Sequence, residues 1–378
     1  MTIKRLATAA AIGLAVTVTV TAVAAGTAAA LIGQPASTTS AAKPAGGAPP
    51  VDAVLVTPSF GWLLTADGLR VTNDGGATFT AVNAPLPAGG ARAAAFVDAR
   101  NGIEAVAAGN VIDVARTTDG GATWVTSKAT DPAMPPNIGY SDLKIAFGSQ
   151  NQGAILARIA TGQSFSIGTL FSTADAGTSW ATHPAPAAGD VSMEATGRIW
   201  MAGGLLHDNL YRSDDAGAHW TQAQVPPLPG RQVAAVSVPI AGQLSATVLN
   251  NGVTEVELLS SADQGQTWNP SSSVTVTGKT AMGVEIRVAQ TVAGPLVLDT
   301  AGGHAYRLGQ GTDIHPTGLP EGVDQATFAP DGRSGWALAT YGQCTSGKQN
   351  CTLYHELVRT VDGGSTWQRL QTWAQPIG

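Results

Sequence analysis

This chain of 378 residues carries a net charge of −6, with only 12% of its residues charged and 46 glycines. Lys4, Arg5 and Lys43 are the only charges before residue 51, so the rest of the chain stands at −9, which argues against nucleic acid or an anionic membrane surface as partner. Little Lys and Glu beside much Ala, Gly, Val and Thr suits short strands and tight turns.

The chain opens with Lys4-Arg5 and an uncharged run from Leu6 to Gly33, the arrangement of an export leader. Ala22-Val23-Ala24 and Ala28-Ala29-Ala30 offer small-residue cleavage sites, yet the run of 28 residues is long enough to span a bilayer. Residues 1–33 therefore read as either a signal peptide or a transmembrane anchor. No cysteine lies nearby to carry a lipid, and a retained anchor would place everything after Gly33 outside. Residues 34–50, rich in Pro, Ala, Ser and Thr, read as a disordered linker between the membrane and a domain spanning 51–378. The expected location is extracellular or in the cell envelope, secreted or anchored.

From residue 51 onward, apolar runs of four to seven residues alternate with Gly, Asp or Asn punctuation, as in VDAVLVT (51–57), GWLLT (61–65), LRVT (69–72) and TFTAV (78–82). This pattern predicts strands. The segment after LRVT is the first of six copies of one phrase: TNDGGATF (72–79), TTDGGATW (117–124), TADAGTSW (173–180), SDDAGAHW (213–220), SADQGQTW (261–268) and TVDGGSTW (360–367). Its aspartates are Asp74, Asp119, Asp175, Asp215, Asp263 and Asp362, and its glycines Gly76, Gly121, Gly177, Gly217, Gly265 and Gly364. The closing aromatics are Phe79, Trp124, Trp180, Trp220, Trp268 and Trp367, at steps of 45, 56, 40, 48 and 99. A decayed copy, with Arg307, Gly309, Gly311, Asp313 and Ile314 in frame, splits the last step into 46 and 53. Seven units of about 46 residues then fill 51–373, the period of four short strands per propeller blade. The predicted fold is all-β, a seven-bladed propeller of four-stranded antiparallel blades behind the N-terminal segment.

The phrase suits a hairpin turn. Its Asp can accept hydrogen bonds from N–H groups downstream, its Gly can take positive φ, and its Trp can bury a large face against a sheet. Calcium loops carry acids at alternating positions, which this phrase lacks, so no metal or cofactor is expected. The phrase resembles the Asp-box, or bacterial neuraminidase repeat, of sialidases, some endoglucanase-type glycosidases, sortilin-like receptors and photosystem II assembly-factor-like propellers. The resemblance covers nearly all of 51–373 and implies a peripheral hairpin between third and fourth strands, away from the active face. It implies fold more than activity. Gly61-Trp62, Ile199-Trp200 and Gly335-Trp336 open second strands, where the tryptophans are expected to pack between blades.

In such a ring, loops joining second to third strands and one blade to the next share a face, opposite the repeat turns. Two unusual segments belong to that face: SKATDPAMPPNIGYSD (127–142) and YGQCTSGKQNCTLY (341–354), the latter with Tyr341 and Tyr354. Cys344 and Cys351, the only cysteines, are expected to close a disulfide. Polar residues near the starts of innermost strands would ring the channel mouth: Asp52, Arg92, Asp142, Lys144, Asp190, Arg231, Arg287 and Asp324, with Glu285 expected as a buried partner of Arg287.

The sialidase resemblance implies an arginine triad, a Tyr–Glu nucleophile, an Asp acid/base and an early Arg-Ile-Pro motif. That motif is absent; Arg70 in GLRVT lies on a third strand. Arg92, Arg231 and Arg287 could form a triad by position, but none of Tyr140, Tyr211, Tyr306, Tyr341 and Tyr354 is visibly matched to a Glu. No catalytic residue is assigned. The expectation is a non-catalytic, exported, monomeric scaffold that binds a protein or a cell-envelope glycan on the loop-bearing face. The alternative is a glycoside hydrolase or lectin-like binder at the channel mouth, with Asp142, Asp190, Glu285 or Asp324 as the carboxylate pair.

Overall fold

The computed structural model describes residues 46–159, 167–203, 210–223, 231–237, 244–250, 255–275, 286–300, 303–309, 314–344 and 351–377; of 231–237, 244–250 and 255 only the backbone is described. The leader, most of the linker and Glu285 lie outside the described residues. Among the described residues, 28 strands form seven four-stranded sheets, each built from four strands consecutive in the chain. Blade 1 holds β1 (Pro50–Leu55), β2 (Gly61–Thr65), β3 (Gly68–Thr72) and β4 (Thr80–Val82). The others are β5–β8 (91–130), β9–β12 (140–185), β13–β16 (190–222), β17–β20 (231–275), β21–β24 (286–315) and β25–β28 (323–377). Neighbouring strands are antiparallel, as short connections require. The sixth sheet carries the decayed phrase, so the count of seven stands without an intact Asp or Trp there.

Aromatic residues wedge the blades together. Trp62, Trp200 and Trp336 are fully buried. Each removes roughly 200 Å² from water, worth about 5 kcal/mol at ~25 cal/mol per Å². The phrase aromatics pack on the preceding blade: Trp124 on the Trp62 cluster, Trp180 on the Ile103–Phe147 cluster, and Trp268 edge-on against Trp200 at 6.0 Å. Phe79 does the same across the ring seam, 5.8 Å from Trp336. Gly265 shows why the phrase needs glycine: its φ is +79°, and a Cβ there would stand 2.2 Å from the Trp200 ring.

The turns work as their residues suggest. In the second copy Thr117 Oγ1 donates to Asp119 Oδ1 at 2.8 Å and accepts from the Gly121 N–H at 2.8 Å. Asp119 also accepts from the Thr123 N–H at 2.8 Å and the Thr123 hydroxyl at 2.6 Å. The residue before the glycine is in the left-handed region in every copy, with glycine at 75, 120 and 363 but Ala176, Ala216 and Gln264 in the other three. In the decayed copy Arg307 stands in the threonine position and donates instead to the Gly364 carbonyl of the next blade.

Among the described residues, ring closure uses no exchanged strand. Blade 7 meets blade 1 through side chains of β25 (Val323–Phe328): the Gln325 amide donates to Asp52 Oδ1 at 2.6 Å and accepts from the Ala53 N–H at 3.2 Å, while Thr327 Oγ1 accepts from the Leu55 N–H at 3.2 Å. First strands of adjacent blades adjoin from blade 2 through blade 7 and back to blade 1. A cavity opens between blades 1 and 2.

Candidate functional site at the channel mouth

The cavity measures about 650 Å³ and lies on the face of the β2–β3 loop and the connection from blade 1 to blade 2. Small-ligand sites commonly have this volume. Asp52, Asp67, Arg92, Glu104 and Asp142 supply its charged lining, and Leu64, Leu69 and Leu86 part of its apolar wall. Asp52, on β1, is 2% exposed, and its Oδ2 has no hydrogen-bond partner among the described residues. Burial pushes its carboxyl up to about 7, against the opposing pull of the Gln325 amide and the Arg287 charge. Glu104, on β6 (Gly102–Ala108), is 1% exposed and accepts from Arg92 Nη1 at 2.5 Å. Burial raises its carboxyl as well, in spite of Arg92.

Of the residues the sequence placed at the mouth, the structure brings Arg92 and Asp142 into one cavity with Asp52. Arg92 is committed to Glu104 and, through Nη2, to the Pro87 carbonyl at 3.1 Å. Lys144 and Asp190 pair at 3.7 Å across the junction of blades 3 and 4, where the lysine also donates to the Gly189 carbonyl. Arg287, on β21 (Ile286–Ala289), acts on Asp52 through its charge. Asp324 sits at an irregularity between Val323 and Gln325. The Arg231 side chain is outside the description, so the arginine triad rests on Arg92 and Arg287 alone, with Arg92 already paired. Glu104 was missed: a single acid inside GIEAVAA, an otherwise apolar strand, was its only sequence signal.

A second constellation corrects an expectation. Tyr341 is matched to a glutamate: its hydroxyl donates to Glu356 Oε1 at 2.6 Å, on adjacent strands of blade 7. Glu356 is 2% exposed and also receives Arg369 Nη2 at 2.9 Å. Burial and the Glu356 charge raise the phenol above its ordinary value, so it stays protonated at neutral pH, the wrong direction for an ionised nucleophile. The Tyr354 ring stacks on Tyr341, centroids 5.5 Å apart and 20° from parallel.

These tyrosines stand on a finger. β26 (Gly335–Cys344), β27 (Cys351–Thr360) and β28 (Gln368–Ile377) have ten residues each, twice the five of β2 or β3. The Cys344–Cys351 disulfide joins directly opposed residues at the far end. The other long segment behaves differently. Residues 125–130 form β8, and the loop behind it folds inward, burying Met134 in the core between blades 2 and 3 beside Tyr140, which opens β9 (Tyr140–Phe147). It braces the ring more than it projects from it.

No family model matches the chain, and no curated protein does. Among solved structures it is similar to YCF48 from Cyanidioschyzon merolae, with 16% identity over 76% of this chain and 86% of that one and a TM-score of 0.43. A structure of YCF48 bound to D1 peptide gives 16% identity, 73% and 78% coverage and a TM-score of 0.40. The Hadza microbial sialidase gives 15% identity, 63% and 60% coverage and a TM-score of 0.38. These are likenesses of propeller fold and assign no role to any residue.

Proposed function

We propose that the chain is an exported, non-catalytic propeller serving as a binding or assembly scaffold for a protein or a cell-envelope glycan. The carrying observation is the asymmetry of its two faces. One face presents repeat turns whose polar groups are spent on each other. The other holds the cavity and the disulfide-closed finger. Rigid scaffolds carry recognition on such elaborated loops. The Lys4-Arg5 leader, the linker and the disulfide support export, since disulfides persist in oxidising compartments.

The glycoside-hydrolase alternative draws on one observation: Asp52, poised near neutrality in a cavity with Glu104, is the protonation state a general acid needs. One experiment separates the readings. Photo-crosslinkers replace Gln343 on the finger or Thr366 on the turn face of the full chain in its native cell. The scaffold reading expects discrete adducts from position 343 and none from 366. Hydrolysis of a chromogenic glycoside by the purified protein, lost on replacing Asp52 or Glu104, would install the hydrolase instead.

A further inference from the structure

We propose that the cavity between blades 1 and 2 binds an aliphatic ammonium group, a positive charge at the end of a short apolar stem. The inference rests on the scaffold reading and names the chemistry that its binding face selects.

Four carboxyl-bearing residues line the cavity, Asp52, Asp67, Glu104 and Asp142, against one cation, Arg92. Arg92 is already engaged by Glu104 and the Pro87 carbonyl. Asp67 Oδ2 accepts the Ala48 N–H at 2.9 Å, which leaves its charge in place. Asp52 uses Oδ1 for the Gln325 amide and has a buried Oδ2 without a partner among the described residues. Glu104, almost wholly buried, has Arg92 as its hydrogen-bond donor. Asp52 is therefore short of a donor on one buried oxygen, in a lining with more carboxyls than cations, and a buried carboxylate in that condition is costly.

An ammonium supplies both. It brings three N–H donors and a full charge in a compact head. An anionic ligand would be repelled. A neutral sugar could satisfy the open Asp52 oxygen but would bring no positive charge. Leu64, Leu69 and Leu86 offer a stem the apolar wall that lysine-like chains cover. Entry of the cation favours the ionised form of Asp52, whose charged and polar surroundings are Arg287 on β21, Gln325 on β25, Arg92 and Glu104 in blade 2, Asp142 on β9 and Asp67 beside β2. Binding near pH 7 should thus release protons.

The test is titration calorimetry on the full chain with pentylamine, 1-pentanol and maltotriose, in two buffers of different ionisation enthalpy. Pentylamine is expected to bind with proton release, and Asp52→Asn and Glu104→Gln each to weaken it by about tenfold or more. Both replacements keep an acceptor for Gln325 or Arg92, and melting curves establish that each variant is folded; if Asp52→Asn is not, Glu104→Gln carries the test. Tighter binding of Nα-acetyl-lysine amide than of cadaverine would identify a polypeptide lysine as the source, and the reverse a free polyamine. Pentanol or maltotriose binding as well as the amine, or amine binding untouched by both replacements, would overturn the inference. Absence of amine binding with crosslinks from position 343 intact would overturn it and leave the scaffold standing. Amine binding without crosslinks would do the opposite.

Discussion

The repeat turns and the channel mouth use the same group, a carboxyl, in opposite circumstances. Asp119 receives the Thr123 hydroxyl, the Thr123 N–H and the Thr117 hydroxyl, and is held at about 2 although it is exposed. Asp175, Asp215, Asp263 and Asp362 sit at about the same value, and Asp74 lower still. In Asp362 burial acts upward and the Thr366 and Thr360 hydrogen bonds outweigh it. Asp52 and Glu104 are buried with too few donors and move upward. Burial drives the acids of the mouth upward and hydrogen-bond donors draw the turn aspartates downward, and the balance of the two divides the stabilising acids from those available for recognition.

Acid should break the turn side of this contrast first and most severely. The six turn aspartates have folded values below their unfolded ones, so their stabilisation is complete above pH ~4 and is lost as pH falls toward ~2. Tm measured against pH should fall most steeply in that window; a flat profile there would mean the turns hold no such network. Next in size, Thr360→Val removes the buried hydroxyl that accepts the Gly364 N–H at 2.9 Å and donates to Asp362, at an expected loss of roughly 1–3 kcal/mol in urea unfolding at pH 7.

Asp52 has the opposite linkage. Its folded value exceeds its unfolded one, so its contribution is full below pH ~4 and is lost as pH rises toward ~7. Asp52→Asn should therefore stabilise the protein at pH 8 by about 1–2 kcal/mol and flatten the pH dependence between 4 and 7. Destabilisation at pH 8 would show that the ionised Asp52 is paired. The smallest effect belongs to Ala176, whose φ of 60° is relieved by glycine; Ala176→Gly should gain about 0.5 kcal/mol, read as a small rise in Tm.

The fold was legible because a propeller repeats itself. One turn chemistry recurs at six of the seven blades, and Arg307 and Gly309 kept enough of the frame to mark the blade that lost it. The mouth was legible only in part. Inner-strand position pointed to Asp52, Arg92 and Asp142, but Glu104 and Glu356 sit as single acids within strands, and their partners Arg92 and Arg369 lie on neighbouring strands. No local pattern shows that Gln325 reaches Asp52, 273 residues away. Burial and donor count, which decide what a carboxyl can do, arise only when distant strands meet.

The closure of the ring has a mechanical consequence. Gln325 and Thr327 bind blade 1 through side chains, and among the described residues no strand is shared and no ladder links the first blade to the last. Pulled from its ends, the molecule should part at that seam at low force and then yield blade by blade. Each step would release about 46 residues, roughly 160 Å of extended chain, in a regular saw-tooth.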